Sequence, residues 1–404
     1  MNSPSAICHL PSAPRILIRG TNWLGDAVMT TPALIRLRER FPGAQITLLT
    51  PEKLRDLWAG HPVVNETISF APDESIFSVG RKLRRWGEAT DEPALAHQTA
   101  AREDARPTSF DLALVLPNSS RSAIETWLAG IPQRVGFARP WRSFFLTNAI
   151  APRANALKMR KRSVGEIKQL ITTPNTSRLT PDPRRQTPAS VHQLHEYLHL
   201  VAALGANPEP LPSQLFVAPE EVEAVKKKFG MDEITRPILG LNPGAEYGPA
   251  KRWPVERFIA AAREIQNRTN CLWLIFGGKG DTPIANQITS QLPSANFQLL
   301  NLAGKISLRE LMALLKLCRV LLTNDSGPMH VAAALGTPVV VPFGSTSPEL
   351  TGPGLPGDPR HRLLKSNAPC SPCFRRECPI DFRCMNGIGV EHVVEAVLSC
   401  SGAL

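Results

Sequence analysis

Val320-Leu-Leu-Thr323-Asn324-Asp325-Ser326-Gly327-Pro328-Met329-His330-Val-Ala-Ala-Ala-Leu335-Gly336-Thr-Pro338-Val-Val-Val-Pro-Phe343 is the stretch that decides the fold. The strand-like run 320–323, three apolar residues and a threonine, ends in small and polar residues, a small-residue helical pattern covers residues 329–335, and a second apolar run covers 338–343. Strand, tight loop, helix and strand in that order form a βαβ unit, whose strands lie parallel. Working backwards, strand-like runs recur at residues 238–242, 272–276 and 297–302, with helical patterns over 255–267 and 308–317. Repeated alternation at this spacing predicts a doubly wound α/β domain.

The N-terminal half reads the same way with more interruptions. Arg15-Ile-Leu-Ile-Arg19 is a β-rich run, a glycine-containing turn spans Gly20 to Gly25, a helical pattern covers 27–40, and a second strand covers 44–49. Further short strands are expected at 112–116 and 134–137. Two polar stretches break the rhythm and are expected to be partly mobile surface insertions: residues 73–108, and residues 153–193 with the basic cluster Lys158, Arg160, Lys161 and Arg162. The basic cluster is either a solvated surface or a hold on an anionic acceptor.

At 404 residues, with 43% hydrophobic and 20% charged, the chain can bury a core in each of two medium domains. We expect them over 1–212 and 213–404, with the proline-rich residues 208–219 as the linker. The predicted fold class is α/β, with two doubly wound Rossmann-like domains facing across a cleft and the ligand at the carboxyl ends of their strands.

A net charge of +11 implies an anionic partner, whether nucleic acid, a membrane face or a phosphorylated glycolipid. The sequence holds no run of eighteen apolar residues and its start lacks a secretory pattern, so the expected location is the cytoplasm.

Four loops, each after a strand, carry the unusual residues. In Gly20-Thr21-Asn22-Trp23-Leu24-Gly25-Asp26, the carboxylate sits beside a helix start, where it is either an N-cap or a general base. Asn242-Pro-Gly244-Ala245 runs on to Lys251-Arg-Trp253-Pro254; its small residues let a diphosphate approach the backbone, and Lys251 supplies a mobile positive charge. Neither G-x-x-x-x-G-K-[ST] nor G-x-G-x-x-G is present, which disfavours a P-loop kinase or an NAD dehydrogenase. Gly277 and Gly278 form either a plain turn or a contact near the nucleotide. In the fourth loop the amides of Ser326 and Gly327 open a helix and can bind a leaving diphosphate, Asp325 can reach sugar hydroxyls, and His330 is either a packing residue or an acid/base.

Taken together, Gly25-Asp26 with Met29-Thr-Thr-Pro32, the Asn242 to Pro254 segment, and Asn324-Asp325-Ser326-Gly327-Pro-Met-His330 resemble glycosyltransferase family 9, the lipopolysaccharide heptosyltransferases. The resemblance implies a GT-B fold and an inverting transfer of heptose from ADP-heptose to the lipopolysaccharide inner core. By residue, it implies Asp26 as general base, Lys251 as diphosphate ligand, and Asp325, Ser326 and Gly327 as sugar and phosphate contacts. Asn242, Gly244, Ala245, Gly277, Gly278 and His330 complete the expected donor side, and Thr21, Asn22, Trp23 and Gly25 the acceptor side. The expected acceptor is Kdo-lipid A carrying the first heptose, reached by peripheral contact with the inner face of the inner membrane, and no nucleic acid is involved. Another enzyme of the family, adding the first heptose, remains an alternative.

No D-x-D motif occurs in these loops, so no cofactor is expected for catalysis. Cys370-x2-Cys373-x4-Cys378-x5-Cys384 could surround a structural zinc or remain reduced thiols. Two other classes stay open on the residues alone: a sugar-nucleotide epimerase or hydrolase, and a non-enzymatic binder of anionic surfaces.

Overall fold

A computed structural model describes residues 10–89, 110–154, 156–157, 159–172, 191–292 and 298–402. The chain divides into two compact units, Met1–Ala154 with Leu194–Pro210, and Asn155–Gln193 with Leu211–Leu404.

The first unit holds six parallel strands: β1 Arg15–Arg19, β2 Gln45–Pro51, β3 Glu66–Phe70, β4 Leu112–Val115, β5 Gln133–Phe137 and β6 Asn148–Ile150. Their order is β3-β2-β1-β4-β5-β6. Ile16, Leu17 and Ile18 are all fully buried, because a central parallel strand is covered on both faces and needs a continuous apolar run. The chain winds outward to β3 and returns on the other side of β1 to make β4. This reversal opens a crevice at the carboxyl ends of β1 and β4, and the loop Gly20 to Asp26 stands there.

The second unit repeats the plan with β7 Ile238–Asn242, β8 Leu272–Ile275, β9 Leu299–Asn301, β10 Val320–Thr323, β11 Val339–Phe343 and β12 Arg362–Lys365, in the order β12-β11-β10-β7-β8-β9. Its reversal falls between β7 and β10, which pair in register from Leu239–Val320 to Asn242–Thr323. The loops after these two strands therefore emerge side by side.

Around this sheet, helix Val255–Thr269 buries Phe258, Ile259, Ala262 and Ile265 at helical spacing and stops at Asn270, whose left-handed φ of 49° ends it. Helix Leu308–Leu317 opens on a capping box in which Ser307 Oγ accepts from the Glu310 amide at 3.2 Å and Glu310 Oε2 accepts from the Ser307 amide at 2.7 Å.

Several expectations change. The helix expected over 27–40 is two helices, Leu24–Met29 and Thr31–Arg40. Pro32 has no N–H for the backbone ladder, and the hydroxyls of Thr30 and Thr31 take the carbonyls of Ala27 and Val28 at 2.6 and 2.8 Å. The stretch 73–108 is not simply an insertion: Ile76–Ala89 is a helix whose Val79 and Leu83 lie in the first unit's core. Gly80 lets it close on helix Ser120–Leu128, since a Cβ there would stand 2.7 Å from Leu128 Cβ.

Nor do residues 155–193, most of the second expected insertion at 153–193, belong to the first unit. Helix Val164–Thr172 buries Ile167 against Cys370 and Cys373, and so belongs to the second unit. The chain then recrosses, and helix Leu194–Ala202 packs on Thr31–Arg40. Residues 90–109, 155, 158, 173–190 and 293–297, including Lys158 and part of the expected 297–302 strand, lie outside the described residues.

Candidate active site

At the second unit's reversal, the side chain of Asn242 ends β7 and donates to Thr323 Oγ1 and Ser326 Oγ, both at 3.1 Å. Asn324 ties the same loops from the other side. Its Oδ1 accepts from the Trp253 amide at 2.9 Å and its Nδ2 donates to the Pro243 carbonyl at 2.7 Å. Both asparagines are buried, so each polar atom must find a protein partner, and the loops are locked as one piece.

On that frame Lys251 Nζ meets Asp325 Oδ2 at 2.7 Å, with Asp325 only 4% exposed and Lys251 14%. Thr346 Oγ1 donates to the same carboxylate at 2.5 Å. Lys251 also lies over the Tyr247 ring at 4.9 Å, and Arg376 lies 5.3 Å from the same ring. Helix Gly327–Ala334 begins beside Asp325 with Ser326 at its N-cap. Its first amides lack partners inside the helix by geometry, and its dipole presents positive potential there.

His330, in that helix, is buried, and burial pushes its pKa down to about 4; Asp325 opposes the shift, while His192 and Lys251 add to it. It is therefore neutral near pH 7 rather than a cation. Asp281 closes the glycine loop: its Oδ2 accepts from the Gly278 amide at 3.0 Å, and Arg252 approaches Oδ1 at 3.7 Å. Gly244 is required here, because a Cβ would sit 2.3 Å from the Asp281 carboxylate. Gly277 is crowded by the Asp281 Cβ at 2.8 Å in the same way, and Ala245 is buried against the turn.

The cysteine segment braces this site from behind. Amides of Cys373 and Phe374 donate to the Ser345 carbonyl at 3.1 and 2.7 Å, and Ser371 Oγ donates to Gly344 at 2.7 Å, fixing the loop that carries Thr346. A structural zinc at the four cysteines is not shown. Among the described residues no three His, Cys, Asp or Glu side chains converge to hold a metal ion. Cys370 and Cys373 pack beside Ile167 and Cys384 beside Met385, while the partly exposed Cys378 accepts from the Phe382 amide at 3.3 Å. Burial, reinforced by the neighbouring thiols, pushes Cys384 up to about 12, so it stays protonated.

In the first unit, Asp26 is the third residue of helix Leu24–Met29, and Trp23 occupies the N-cap without a side-chain cap bond, so Asp26 is not the N-cap. A first-turn carboxylate is favoured by the helix dipole. Trp23 is half-exposed with Lys53 over its ring at 5.4 Å, and the buried Thr21 hydroxyl finds no partner among the described residues.

Holding this loop is a pair the sequence reading missed: Arg19 Nε to Glu125 Oε2 at 2.9 Å, both fully buried. Arg19 Nη1 then donates to the Gly20 carbonyl at 2.6 Å and to Asn22 Oδ1 at 2.9 Å. An arginine closing an apolar strand, with an acid on a later amphipathic helix, was the available signal. Thr346, Tyr247, Asp281 and Arg376 were missed as well, since their relation to Asp325, Lys251 and Gly244 exists only in the folded chain.

Two Rossmann-like units, each a six-stranded parallel sheet with its strand order reversing at a central switch point and neither with a glycine-rich dinucleotide fingerprint, give the GT-B fold, and that is the class the fold defines. Comparison with known proteins carries this further. The chain belongs to glycosyltransferase family 9 (heptosyltransferase), whose sequence pattern matches residues 99–382. It is 30% identical over 341 residues to lipopolysaccharide heptosyltransferase 2 of Salmonella typhimurium, covering 84% of this chain and 85% of that protein.

The solved structure of E. coli ADP-heptose lps heptosyltransferase II aligns with a TM-score of 0.72 at 26% identity, covering 96% of this chain and 98% of that one. A family 9 glycosyl transferase from Veillonella parvula shares the fold, with a TM-score of 0.72 at 21% identity over 97% of this chain and 98% of that one. Family membership makes the chain a transferase and sets aside the epimerase, hydrolase and non-enzymatic readings. Among the described residues no helix is long and apolar enough to cross a membrane.

Proposed function

We propose that the chain transfers L-glycero-D-manno-heptose from ADP-heptose to the lipopolysaccharide inner core, placing the second heptose on heptose I of Kdo-lipid A. The observation that carries this reading is the Lys251–Asp325 pair beside the start of helix Gly327–Ala334. Its support from relatives is the 30% identity to a protein named lipopolysaccharide heptosyltransferase 2.

In this reading the second unit is the donor domain. Lys251 and the amides at Ser326 and Gly327 take the diphosphate, Asp325 takes sugar hydroxyls, and Asn242, Gly244, Ala245, Gly277, Gly278 and His330 shape the surroundings. The first unit is the acceptor domain, with Thr21, Asn22, Trp23 and Gly25 beside the reacting hydroxyl and Asp26 as base. The acceptor oxygen attacks C1 from the face opposite the phosphate. The C1–oxygen bond to phosphate breaks and ADP leaves with the bonding pair, so attack from the opposite face inverts the anomeric centre, and the hydroxyl proton passes to Asp26.

Charge building on ADP is met by Lys251 and the helix dipole, which supply the electrostatic stabilisation a divalent ion supplies elsewhere, so catalysis needs no cofactor. The enzyme works in the cytoplasm, peripherally bound to the inner face of the inner membrane where its acceptor is anchored. The test is to incubate the purified protein with ADP-heptose and lipopolysaccharide of defined core length and weigh the product. One added heptose on the acceptor already bearing heptose I is expected, and addition only to the heptose-free core would reassign it as the first transferase.

A further inference from the structure

Two large apolar side chains stand almost bare on the first unit: Trp141 is 89% exposed and Phe144 80%. Both belong to the turn between β5 and β6, Ala138-Arg-Pro-Trp141-Arg142-Ser-Phe144-Phe145. Beneath them Phe145 packs edge-on against Phe144 at 5.4 Å and against the half-exposed Trp127 at 5.6 Å, so three aromatic rings share one tip.

The tip is held in place rather than loose. Arg142 is fully buried, and its guanidinium donates to the carbonyls of Val115 at 3.2 Å, Pro117 at 2.7 Å, Ser119 at 3.3 Å and Phe137. Gly136 makes room for it, since a Cβ there would lie 2.8 Å from Arg142 Nη2. With Arg142 pulled inward, the preceding residue is turned out at a left-handed φ of 62°, a conformation unfavourable for tryptophan unless the surroundings impose it. The fold thus displays the indole.

Charge identifies what the tip meets. Within the first unit, residues 126–154 carry four arginines, Arg134, Arg139, Arg142 and Arg153, and no Asp or Glu. Exposed Arg139 lies within the turn itself. Tryptophan with arginine and no carboxylate is the composition that settles at the headgroup level of an anionic bilayer. A second copy of the chain is a poorer occupant, because a stable protein interface needs roughly 800 Å² from each partner and a three-ring tip offers far less.

We infer that the turn 138–147 is a preformed wedge that inserts Trp141 and Phe144 into the headgroup region of an anionic phospholipid bilayer. Its position suits the acceptor, and here the inference rests on the proposed lipid-anchored substrate. In the parallel sheet the carboxyl ends of β5 and β1 lie at one edge, two strand spacings or about 10 Å apart. The wedge and the Asp26 loop therefore leave the sheet on the same side.

Vesicle co-sedimentation tests this on the full chain. Wild type should bind vesicles of phosphatidylglycerol and phosphatidylethanolamine and not vesicles of phosphatidylcholine alone. Trp141→Ser with Phe144→Ser should bind at least about tenfold more weakly while its thermal unfolding is unchanged. Trp141→Phe should bind nearly as wild type but lose the quenching of tryptophan fluorescence by brominated lipid.

Transfer to a water-soluble oligosaccharide acceptor should be the same in the double variant as in wild type, and transfer to an acceptor embedded in vesicles should fall. Loss on the soluble acceptor in wild type itself would refute the enzymatic reading, not the wedge. Equal vesicle binding by the double variant, no binding by wild type, or a concentration-dependent dimer that the variant abolishes would each overturn the wedge.

Discussion

Lys251 Nζ and Asp325 Oδ2 lie 2.7 Å apart, on the loops that leave β7 and β10, both largely shielded from water. The two groups assigned to phosphate and sugar are thus each other's partners, so neither acts alone. Lys251→Ala should weaken ADP-heptose binding roughly ten- to a hundredfold, the loss expected for a charge-assisted contact worth about 1.5–3 kcal/mol. Asp325→Asn should also weaken it, and the double variant should lose less than the sum, because each single change strands the other charge. Calorimetric titration of the four proteins reads the cycle; strictly additive losses would mean the pair is not coupled in donor binding.

Asp26→Asn keeps shape and removes the base. Turnover should drop about a hundredfold or more while donor affinity holds. Near-normal turnover would leave Asp26 with only its favourable place in the first turn of a helix.

Transfer should survive EDTA, because in the proposed mechanism Lys251 and the start of helix Gly327–Ala334 take the place of a divalent ion at the leaving diphosphate. Abolition of activity, restored by Mg²⁺ and without loss of folded signal, would overturn a metal-free mechanism.

His330 gives a pH dependence with a defined sign. Its pKa falls from an ordinary 6.5 to about 4 in the folded chain. The unfolded chain therefore binds the proton first, so this contribution to stability is complete above about pH 6.5 and is lost as pH falls toward 4. Urea midpoints measured from pH 7 to 4 should decline less steeply for His330→Gln than for wild type; parallel slopes would show that His330 is not kept neutral by the fold.

Arg19 and Glu125 are fully buried and paired at 2.9 Å, with Arg121 Nε on the other carboxylate oxygen at 2.8 Å. Removing one partner leaves an uncompensated buried charge, so Glu125→Ala should cost about 3–5 kcal/mol. Because Arg19 also holds Gly20 and Asn22, turnover should fall together with stability. A variant that is destabilised yet fully active would detach this pair from the Asp26 loop. Chemical denaturation alongside initial rates separates the two outcomes.

The sequence by itself determined the two Rossmann-like halves, because runs such as Ile16-Leu17-Ile18 and Val339-Val340-Val341 have no stable use except as central parallel strands, buried on both faces. It also marked the four loops, since small and polar residues at the end of an apolar strand are a local signal. It did not show that 155–193 joins the second unit or that Val79 and Leu83 enter the core, because each depends on a surface supplied by chain far away. Edge strands such as β6 and β12 are short and mixed in composition, and only a neighbour's unpaired backbone makes them strands.

The tertiary structure alone decided that Cys370 and Cys373 pack beside Ile167 while Cys384 packs beside Met385, and that Arg142 turns inward so that Trp141 turns out. Spacing along a chain limits which side chains can meet. Which of them do meet is settled by the packing and hydrogen bonding of everything around them.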